Sequence, residues 1–134
     1  MKLSIVAQSV LALLSMVGVA HAEVAVIVNP ALSTAPTQSD VANIFLGKDK
    51  SLKGVDQDNW SPTKEKFYTA VTSKSESQLK SYWSGLVFTG KGQPLPHVAD
   101  DGAVVGQVSA QADAIGYVDK AAVNDKVKVL FTLP

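Results

Sequence analysis

A serine, a proline, a threonine and a lysine stand side by side where a helix is predicted to begin. Ser61 suits the N-cap, and Pro62 suits the first helical position because no amide hydrogen is needed there. A helix N-terminus points unpaired N–H groups outward and carries about half a positive charge, so phosphate or sulfate can bind there. Hydroxyls of Ser61 and Thr63 and the charge of Lys64 would assist. The stretch therefore predicts either a simple capped helix start or an oxyanion site.

Other polar residues are further candidates for anion binding. Asn29 follows the first predicted strand, and Thr89 and Lys91 lie in a turn-rich loop as weaker candidates. All 12 basic residues of the chain are lysines. Because no arginine is present, a bidentate clamp on phosphate is not available, and any anion site must rely on lysine as a point charge.

The side chains that support most enzymatic and metal chemistry are scarce. The chain has no cysteine, which excludes disulfides, thiolate chemistry and Cys-ligated metals. Of its 2 histidines, His21 lies in a predicted leader and His97 in a predicted loop. No nucleophile with a base and no paired carboxylates occur at a convincing spacing. We therefore expect a protein that is not an enzyme and has no metal and no cofactor.

The N-terminal residues have the pattern of a secretory signal peptide. Lys2 precedes an apolar run over 3–20, and Ala20-His21-Ala22 gives a small-x-small exit before Glu23. The alternative, a membrane anchor, is disfavoured because the run is short and interrupted by polar residues. We expect cleavage after Ala22 and export.

The predicted mature chain is one domain with nearly balanced charge. Removing residues 1–22 from the 134 leaves 112, which suffices for one core. Without Lys2 the chain has 11 lysines against 12 acidic residues, so we expect neither nucleic-acid binding nor attraction to anionic membranes. No second apolar run is long enough to span a bilayer, and we expect no membrane insertion after cleavage.

Hydrophobic periodicity predicts helices interleaved with strands. Residues 48–59 are predicted to be a loop with at most a very short strand around Val55, and 88–96 another loop. The order predicts an α/β domain with a small, mostly buried sheet flanked by helices. The predicted elements are a strand over 24–28, a helix capped by Thr37 or Ser39 and ended by Gly47, a helix from Pro62, a helix capped by Ser73 or Ser75 and carrying Leu79, Tyr82, Trp83 and Leu86 on one face, a helix capped by Asp100 or Asp101, and strands over 114–118 and 127–131.

A series of short motifs in a fixed order resembles a known family. The motifs are I-V-N-P at 27–30, N-I-F-L-G-K at 43–48, F-Y-x-A-V at 67–71, Y-W-S-G-L-V-F-T-G-K-G-Q-P at 82–94, D-G-A-V-V-G-x-V at 101–108 and A-I-G-Y-V at 114–118. Together they resemble the phosphate-binding-protein-like family, the exported solute-binding proteins of phosphate ABC transporters and their short relatives. The resemblance implies a periplasmic-binding-protein type II fold, here with the length of a single lobe. Together with the predicted signal peptide, it also implies a location in the periplasm.

The resemblance also points to the stretch at Ser61. Full-length members bind phosphate through an S-G-T triplet at a helix start, and this chain has Ser61-Pro62-Thr63 in that place. The match holds at the serine and the threonine, but the proline removes one N–H donor. The family's arginine a few residues upstream is missing, and two carboxylates, Asp56 and Asp58, stand there instead. These departures predict weak anion binding.

Two classes of function follow from these observations. The first is an exported solute-binding module that takes phosphate or a similar oxyanion at Ser61, Thr63, Lys64 and Asn29, for or near an ABC transporter. Tight capture would require a second surface, from a homodimer or another protein. The alternative is an interaction module, an adaptor or sensor of the cell envelope, that has lost anion binding and contacts a permease or an envelope protein.

Overall fold

The computed structural model describes residues 23–134, and the predicted signal peptide over 1–22 lies outside this range. Strands and helices alternate along the described chain, as the sequence predicts for an α/β domain. The strands are β1 (Val24–Val28), β2 (Lys53–Gln57), β3 (His97–Val98), β4 (Ala114–Asp119) and β5 (Lys128–Leu133). The helices are α1 (Gln38–Phe45), α2 (Pro62–Thr72), α3 (Glu76–Phe88) and α4 (Asp101–Ala110), with a short 3-10 helix at Lys120–Ala122.

The strands form one mixed sheet in the order β3-β2-β4-β1-β5. β2 is parallel to both β3 and β4, whereas β1 is antiparallel to β4 and to β5. The carboxyl ends of β2, β3 and β4 therefore lie at the same edge of the sheet. Because α2 follows β2 and α4 follows β3, the N-termini of both helices also lie at that edge.

Helices cover both faces of the sheet, which explains why β1 is apolar without alternation. On one face, Val26 packs in a core with residues of α1, α2 and α3, including Phe45 and Phe67. On the other face, Ile27 packs in a second core with Val104 and other residues of α4. Every side chain of β1 is buried as a result, and the predicted buried sheet is confirmed.

Short polar side chains cap the helices where the sequence predicts them. Of the two predicted candidates for each helix, Thr37 caps α1 and Ser75 caps α3, each in a reciprocal capping box. Ser61 caps α2 with proline in the first turn, and Asp100 caps α4. Gly47 follows the end of α1 with φ 75°, a left-handed conformation that favours glycine.

Two short strands at the edge that bears the helix tips differ from the prediction. β2 has five residues where a loop with at most a very short strand is predicted, and the prediction that His97 lies in a loop is wrong because it begins β3. Gly54 and the polar residues Asp56 and Gln57 give β2 little strand propensity of its own. Pairing with β4 and β3 forms the strand instead.

The last strand carries a bulge. Val26 of β1 lies opposite Phe131, but Ile27 lies opposite Val129, so the register shifts by one residue. Leu130 is therefore the extra residue of β5. The strand also begins and ends later in the chain than the predicted span of 127–131.

Residues 23–134 contain neither a membrane-spanning helix nor a cluster of metal ligands. None of the helices in this range is both long and apolar enough to cross a bilayer. The same residues contain no group of three or more histidine, aspartate or glutamate side chains arranged to hold a metal ion.

Gly116 of β4 lies closely against α4, and this contact yields a test of the fold. A Cβ added at Gly116 would lie 2.5 Å from Val104 Cγ1 of α4. We expect Gly116→Ala to lower the free energy of unfolding by about 1–3 kcal/mol through overpacking, as measured by urea denaturation.

Gly106→Ala is the matched control for this substitution. Gly106 lies within α4, and an added Cβ there meets no atom within 4 Å. This variant should raise stability by about 0.5–1 kcal/mol because glycine is a poor helix former. Equal effects of the two substitutions would contradict the described packing of α4 on β4.

Candidate functional site

The candidate site is a hollow at the edge of the sheet where β2 and β3 end. Open α/β sheets bind ligands outside the carboxyl ends of their strands, and the N-terminus of α2 lies at this edge. The hollow has a volume of about 430 Å³, which is adequate for a small molecule. It is lined by Asp56, Asp58, Trp60, Lys64, Glu76, Leu79, Lys80, Trp83, Ser84, Pro94, Leu95 and His97.

The first turn of α2 uses most of its own polar groups. Ser61 Oγ accepts a hydrogen bond from the Lys64 amide at 3.2 Å, and Ser61 O accepts one from the Glu65 amide at 2.9 Å. Pro62 has no amide hydrogen. Among the described residues, this leaves the Thr63 amide as the one N–H of the first turn without a partner. Ser61 and Thr63 are both half-buried and not covered over.

The ammonium group of Lys64 turns back toward the protein. Its Nζ donates to the carbonyl oxygen of Gln57 at 2.6 Å and lies 3.6 Å from Asp56 Oδ1. It also lies 5.7 Å from the ring centroid of Trp60 and 5.9 Å from that of Tyr68. Only 12% of the Lys64 side chain is exposed. The charge predicted to attract an anion is therefore largely compensated within the chain.

The carboxylate of Asp56 is surrounded by hydrogen-bond donors. Tyr68 Oη donates to Oδ2 at 2.8 Å, and Tyr117 Oη donates to Oδ1 at 2.5 Å. The Gln57 amide also donates to Oδ1, at 2.8 Å. With the Lys64 ammonium 3.6 Å from Oδ1, both oxygens of this carboxylate have partners although only 16% of the side chain is exposed.

Packing of aromatic rings holds these donors in place. Phe67 stacks on Tyr117 with a centroid distance of 4.2 Å, and Trp60 stacks on Tyr68 at 5.9 Å. Phe45 of α1 contacts Phe67 edge-on at 4.8 Å. Such contacts tie α1 and α2 to β4, so the two phenol hydroxyls reach Asp56 from fixed positions.

Both phenols are fully buried, and this affects their ionisation. Burial raises the pKa of Tyr68 well above its usual range, and the neighbouring Asp56 carboxylate raises it further. Burial likewise raises the pKa of Tyr117, again with a contribution from Asp56. A phenolate next to this carboxylate would lose its hydrogen bond and add a like charge. The cluster therefore requires both tyrosines to stay protonated.

The remaining charged groups of the hollow also lie in pairs. Asp58 pairs with the Nδ1 atom of His97, which joins the end of β2 to β3. Glu76 lies 3.3 Å from Lys80 on the surface of α3. Because each carboxylate has a partner, the repulsion that Asp56 and Asp58 would exert on an anion is reduced but not removed.

The other predicted anion ligands lie away from the α2 N-terminus. Asn29 follows β1, which is antiparallel to β4, so it lies at the opposite edge of the sheet. Its amide donates to the carbonyl oxygens of Val108 and Ser109, and its Oδ1 accepts from the Ala31 amide. Asn29 thus holds the C-terminus of α4 to β1, and it forms no common site with Ser61 and Thr63.

Thr89 and Lys91 also lie away from the α2 N-terminus, and of the predicted ligands only Lys64 lines the hollow, whereas Ser61 and Thr63 do not. Thr89 ends α3, and its hydroxyl donates to the carbonyl oxygen of Gly85 at 2.8 Å. Lys91 is exposed and lines a separate surface depression together with Lys50 and Lys53. Of the predicted residues, the structure brings together only Ser61, Thr63 and Lys64.

Sequence reasoning missed the network around Asp56. The sequence pattern predicts that Asp56 lies in a loop, where its carboxylate would only repel a bound anion. One signal was nevertheless present, since a tyrosine within the buried strand at Tyr117 requires a partner for its hydroxyl. Tyr68, four residues after Lys64 on the same helix face, is a second such signal.

Comparisons with known proteins show the fold. No family model and no curated protein matches the chain. Among solved structures, an ABC-type phosphate transport receptor from Vibrio cholerae matches with a TM-score of 0.61 and 16% identity. A protein from Clostridium perfringens, described as a phosphate ABC transporter substrate-binding protein with bound phosphate, matches with a TM-score of 0.60 and 20% identity. PstS from Borrelia burgdorferi matches with a TM-score of 0.57 and 14% identity.

The fraction of each chain that aligns shows how much of the fold is present in this protein. Each match covers 81% of this chain, but only 45%, 44% and 46% of the three solved structures in the same order. The chain thus spans less than half the length of these proteins and has the α/β fold of a single lobe. The expected fold is confirmed, and at these identities the likeness establishes the fold alone.

The buried tyrosines predict a loss of stability in alkali. The pKa of Tyr68 and Tyr117 is higher in the folded protein than the value near 10 of the unfolded chain. Their contribution is therefore complete below about pH 10 and is lost as the pH rises above it, by about 1.4 kcal/mol per tyrosine at pH 11. Urea denaturation at pH 8 and pH 11 measures the difference.

Single substitutions identify the groups responsible. Tyr117→Phe should reduce the loss between pH 8 and pH 11 by about 1.4 kcal/mol, the share of one buried tyrosine, and should lower stability at pH 8 by about 1–3 kcal/mol because Asp56 loses a donor. Tyr82→Phe is the comparison for the bond to Asp56. Burial also raises the pKa of Tyr82, so this variant removes that tyrosine's own share of the alkaline loss, but Tyr82 donates to the carbonyl oxygen of Leu46 and its removal leaves the partners of Asp56 in place. An unchanged pH dependence in Tyr117→Phe would contradict this explanation.

Proposed function

We propose that this chain is an exported solute-binding module, with the fold of one lobe of a phosphate receptor, that takes a phosphate-like oxyanion weakly at the N-terminus of α2. The observation that carries the proposal is the unpartnered Thr63 amide, at a helix N-terminus beside a hollow at the carboxyl edge of the sheet. The likeness in fold to a structure with bound phosphate supports the choice of oxyanion. Export follows from the predicted signal peptide over 1–22, with the periplasm as destination.

The structure offers few groups for this anion. The Thr63 amide and the hydroxyls of Thr63 and Ser61 can donate, and the α2 dipole adds a partial positive charge. The Lys64 ammonium is already paired with Asp56. Contacts to an anion that stays in water are worth little each, so we expect a dissociation constant in the millimolar range or weaker for the monomer.

Tight capture requires a second surface to cover the α2 N-terminus. The phosphate receptors that the chain resembles in fold are about twice its length. A second copy of this chain, or the permease of an ABC transporter, would supply the missing surface. Covering the anion removes water and so strengthens each of its hydrogen bonds.

Phosphate titration followed by amide NMR of the chain from residue 23 tests the proposal. The Thr63 amide should show the largest shift change. Ser61→Ala and Thr63→Val should each weaken phosphate binding about 2- to 10-fold through loss of one hydroxyl. Ser75→Ala is the matched control, because Ser75 caps α3 in the same way away from the proposed anion. Spectra of Thr63 that do not respond to phosphate or sulfate would refute oxyanion binding at this helix.

A second candidate function is supported by a separate observation. Phe88 at the end of α3 is 92% exposed and Val87 beside it 49%, which is unusual for large apolar side chains of a small domain. Together with the internal pairing of Lys64, this supports an interaction module of the cell envelope, an adaptor or a sensor input, that has lost anion binding.

Site-specific photocrosslinking in the native host tests this alternative. A photoreactive phenylalanine analogue at position 88 should capture an envelope protein other than a transporter permease, while the same analogue at exposed position 124 should not. Capture at 88 together with an unresponsive Thr63 would favour the interaction module. Equal labelling at 88 and 124 would argue against a specific partner at this end of α3.

A further inference from the structure

We propose that the groups around Asp56 form a complete anion site that the chain's own carboxylate occupies, and that this site takes a small free carboxylate when the Asp56 side chain is removed. The site consists of the Tyr68 and Tyr117 hydroxyls, the Gln57 amide and the Lys64 ammonium, and we call it the Asp56 site. It differs in its atoms from the site proposed at Thr63, so it does not depend on oxyanion binding there.

The donors of the Asp56 site converge as they would on a bound ligand. Each carboxylate oxygen accepts at least one hydrogen bond, from Tyr68 at 2.8 Å on Oδ2 and from Tyr117 at 2.5 Å and the Gln57 amide at 2.8 Å on Oδ1. The Lys64 ammonium lies 3.6 Å from Oδ1 and balances the charge. Two neutral hydroxyls, one backbone amide and one cation are donor types that proteins use to bind oxyanions.

The donors around Asp56 are buried, which distinguishes this arrangement from an ion pair on the surface. Tyr68 and Tyr117 are each 0% exposed. Without the carboxylate, the Tyr68 hydroxyl would lose its acceptor in a place with little access to water, and Lys64 would lose its counter-charge. Unsatisfied buried donors and charges are unfavourable, so the emptied site should favour an anion over water.

The shape of the emptied site specifies the ligand. Asp56→Ala keeps Cβ and removes the carboxylate group, so the space that is left has the size and shape of formate. Asp56→Gly removes Cβ as well, so the void matches acetate, whose methyl group takes the place of Cβ. Asp56 lines the hollow in front of α2, so a small anion can enter from solvent. Phosphate, which is tetrahedral, fits neither void as well as a planar carboxylate does.

The Asp56 site also accounts for the limited anion affinity expected of the native chain. Its donors are arranged for an anion, but the tethered carboxylate is always present and leaves them unavailable. A free oxyanion therefore meets only the Thr63 amide and the nearby hydroxyls. The internal carboxylate thus acts as a permanent ligand of this lobe and couples β2, α2 and β4.

Thermal unfolding of Asp56→Ala and Asp56→Gly in formate, acetate or chloride at equal ionic strength tests the proposal. Asp56→Ala should gain roughly 5 °C in melting temperature at a formate concentration about ten times the dissociation constant. Asp56→Gly should respond at least as strongly to acetate as to formate, and Asp56→Ala should respond less to acetate than to formate. Chloride should have little effect on either variant.

Asp58→Ala is the matched control, because Asp58 lines the same hollow but its side chain is 44% exposed and pairs with His97, away from Tyr68 and Tyr117. The native chain and Asp58→Ala should not distinguish formate from chloride. A response of Asp56→Ala equal to theirs would overturn the proposal.

Folding provides the second measurement if Asp56→Ala is unfolded in chloride. Recovery of the native circular dichroism spectrum in formate, but not in chloride, would then support the Asp56 site. Failure to fold at every formate concentration, while Asp56→Asn folds, would overturn it. Asp56→Asn keeps an acceptor for Tyr68, so its folding shows that the site tolerates loss of the charge.

Discussion

The structure depends on one charge that is almost entirely removed from water. Burying the Asp56 carboxylate without partners would cost free energy. Lys64 and the hydroxyls of Tyr68 and Tyr117 offset this cost. Those partners come from α2 and β4, and the carboxylate itself from β2. Together with the packing of Phe67 against Tyr117, this carboxylate links α2 to β2 and β4 at the edge of the sheet where the hollow lies.

This constraint bears directly on the choice between binding and interaction. In a two-lobed receptor, charge compensation for a captured anion can be shared between both halves. This chain has the fold of one half, and its described polar groups are largely satisfied among themselves. What stays open at the α2 N-terminus is a single amide with two hydroxyls. The described residues of this region therefore leave few groups beyond these three that could bind an anion.

Much of the fold could be predicted because local signals and the tertiary arrangement agree. The caps at Ser61 and Ser75, the glycine at Gly47 and the apolar run of β1 each encode their element nearby in sequence. β2 and β3 could not be predicted, because their polar residues form strands only through pairing with β4 and with each other. The proximity of Ser61, Thr63 and Lys64 follows from one helix turn. The contact of Asp56 with Tyr117 spans sixty-one residues, and no local pattern contains it.

The bulge at Leu130 has a consequence for the behaviour of the protein in concentrated solution. Among residues 23–134, β5 is one of the two edge strands of the sheet, and its outer side presents amide and carbonyl groups that could pair with a neighbouring molecule. An extra residue in the middle of such a strand increases its twist and interrupts the regular spacing of those groups. Stacking of lobes into extended fibrils is thereby disfavoured, although Val129 on the same strand is partly accessible.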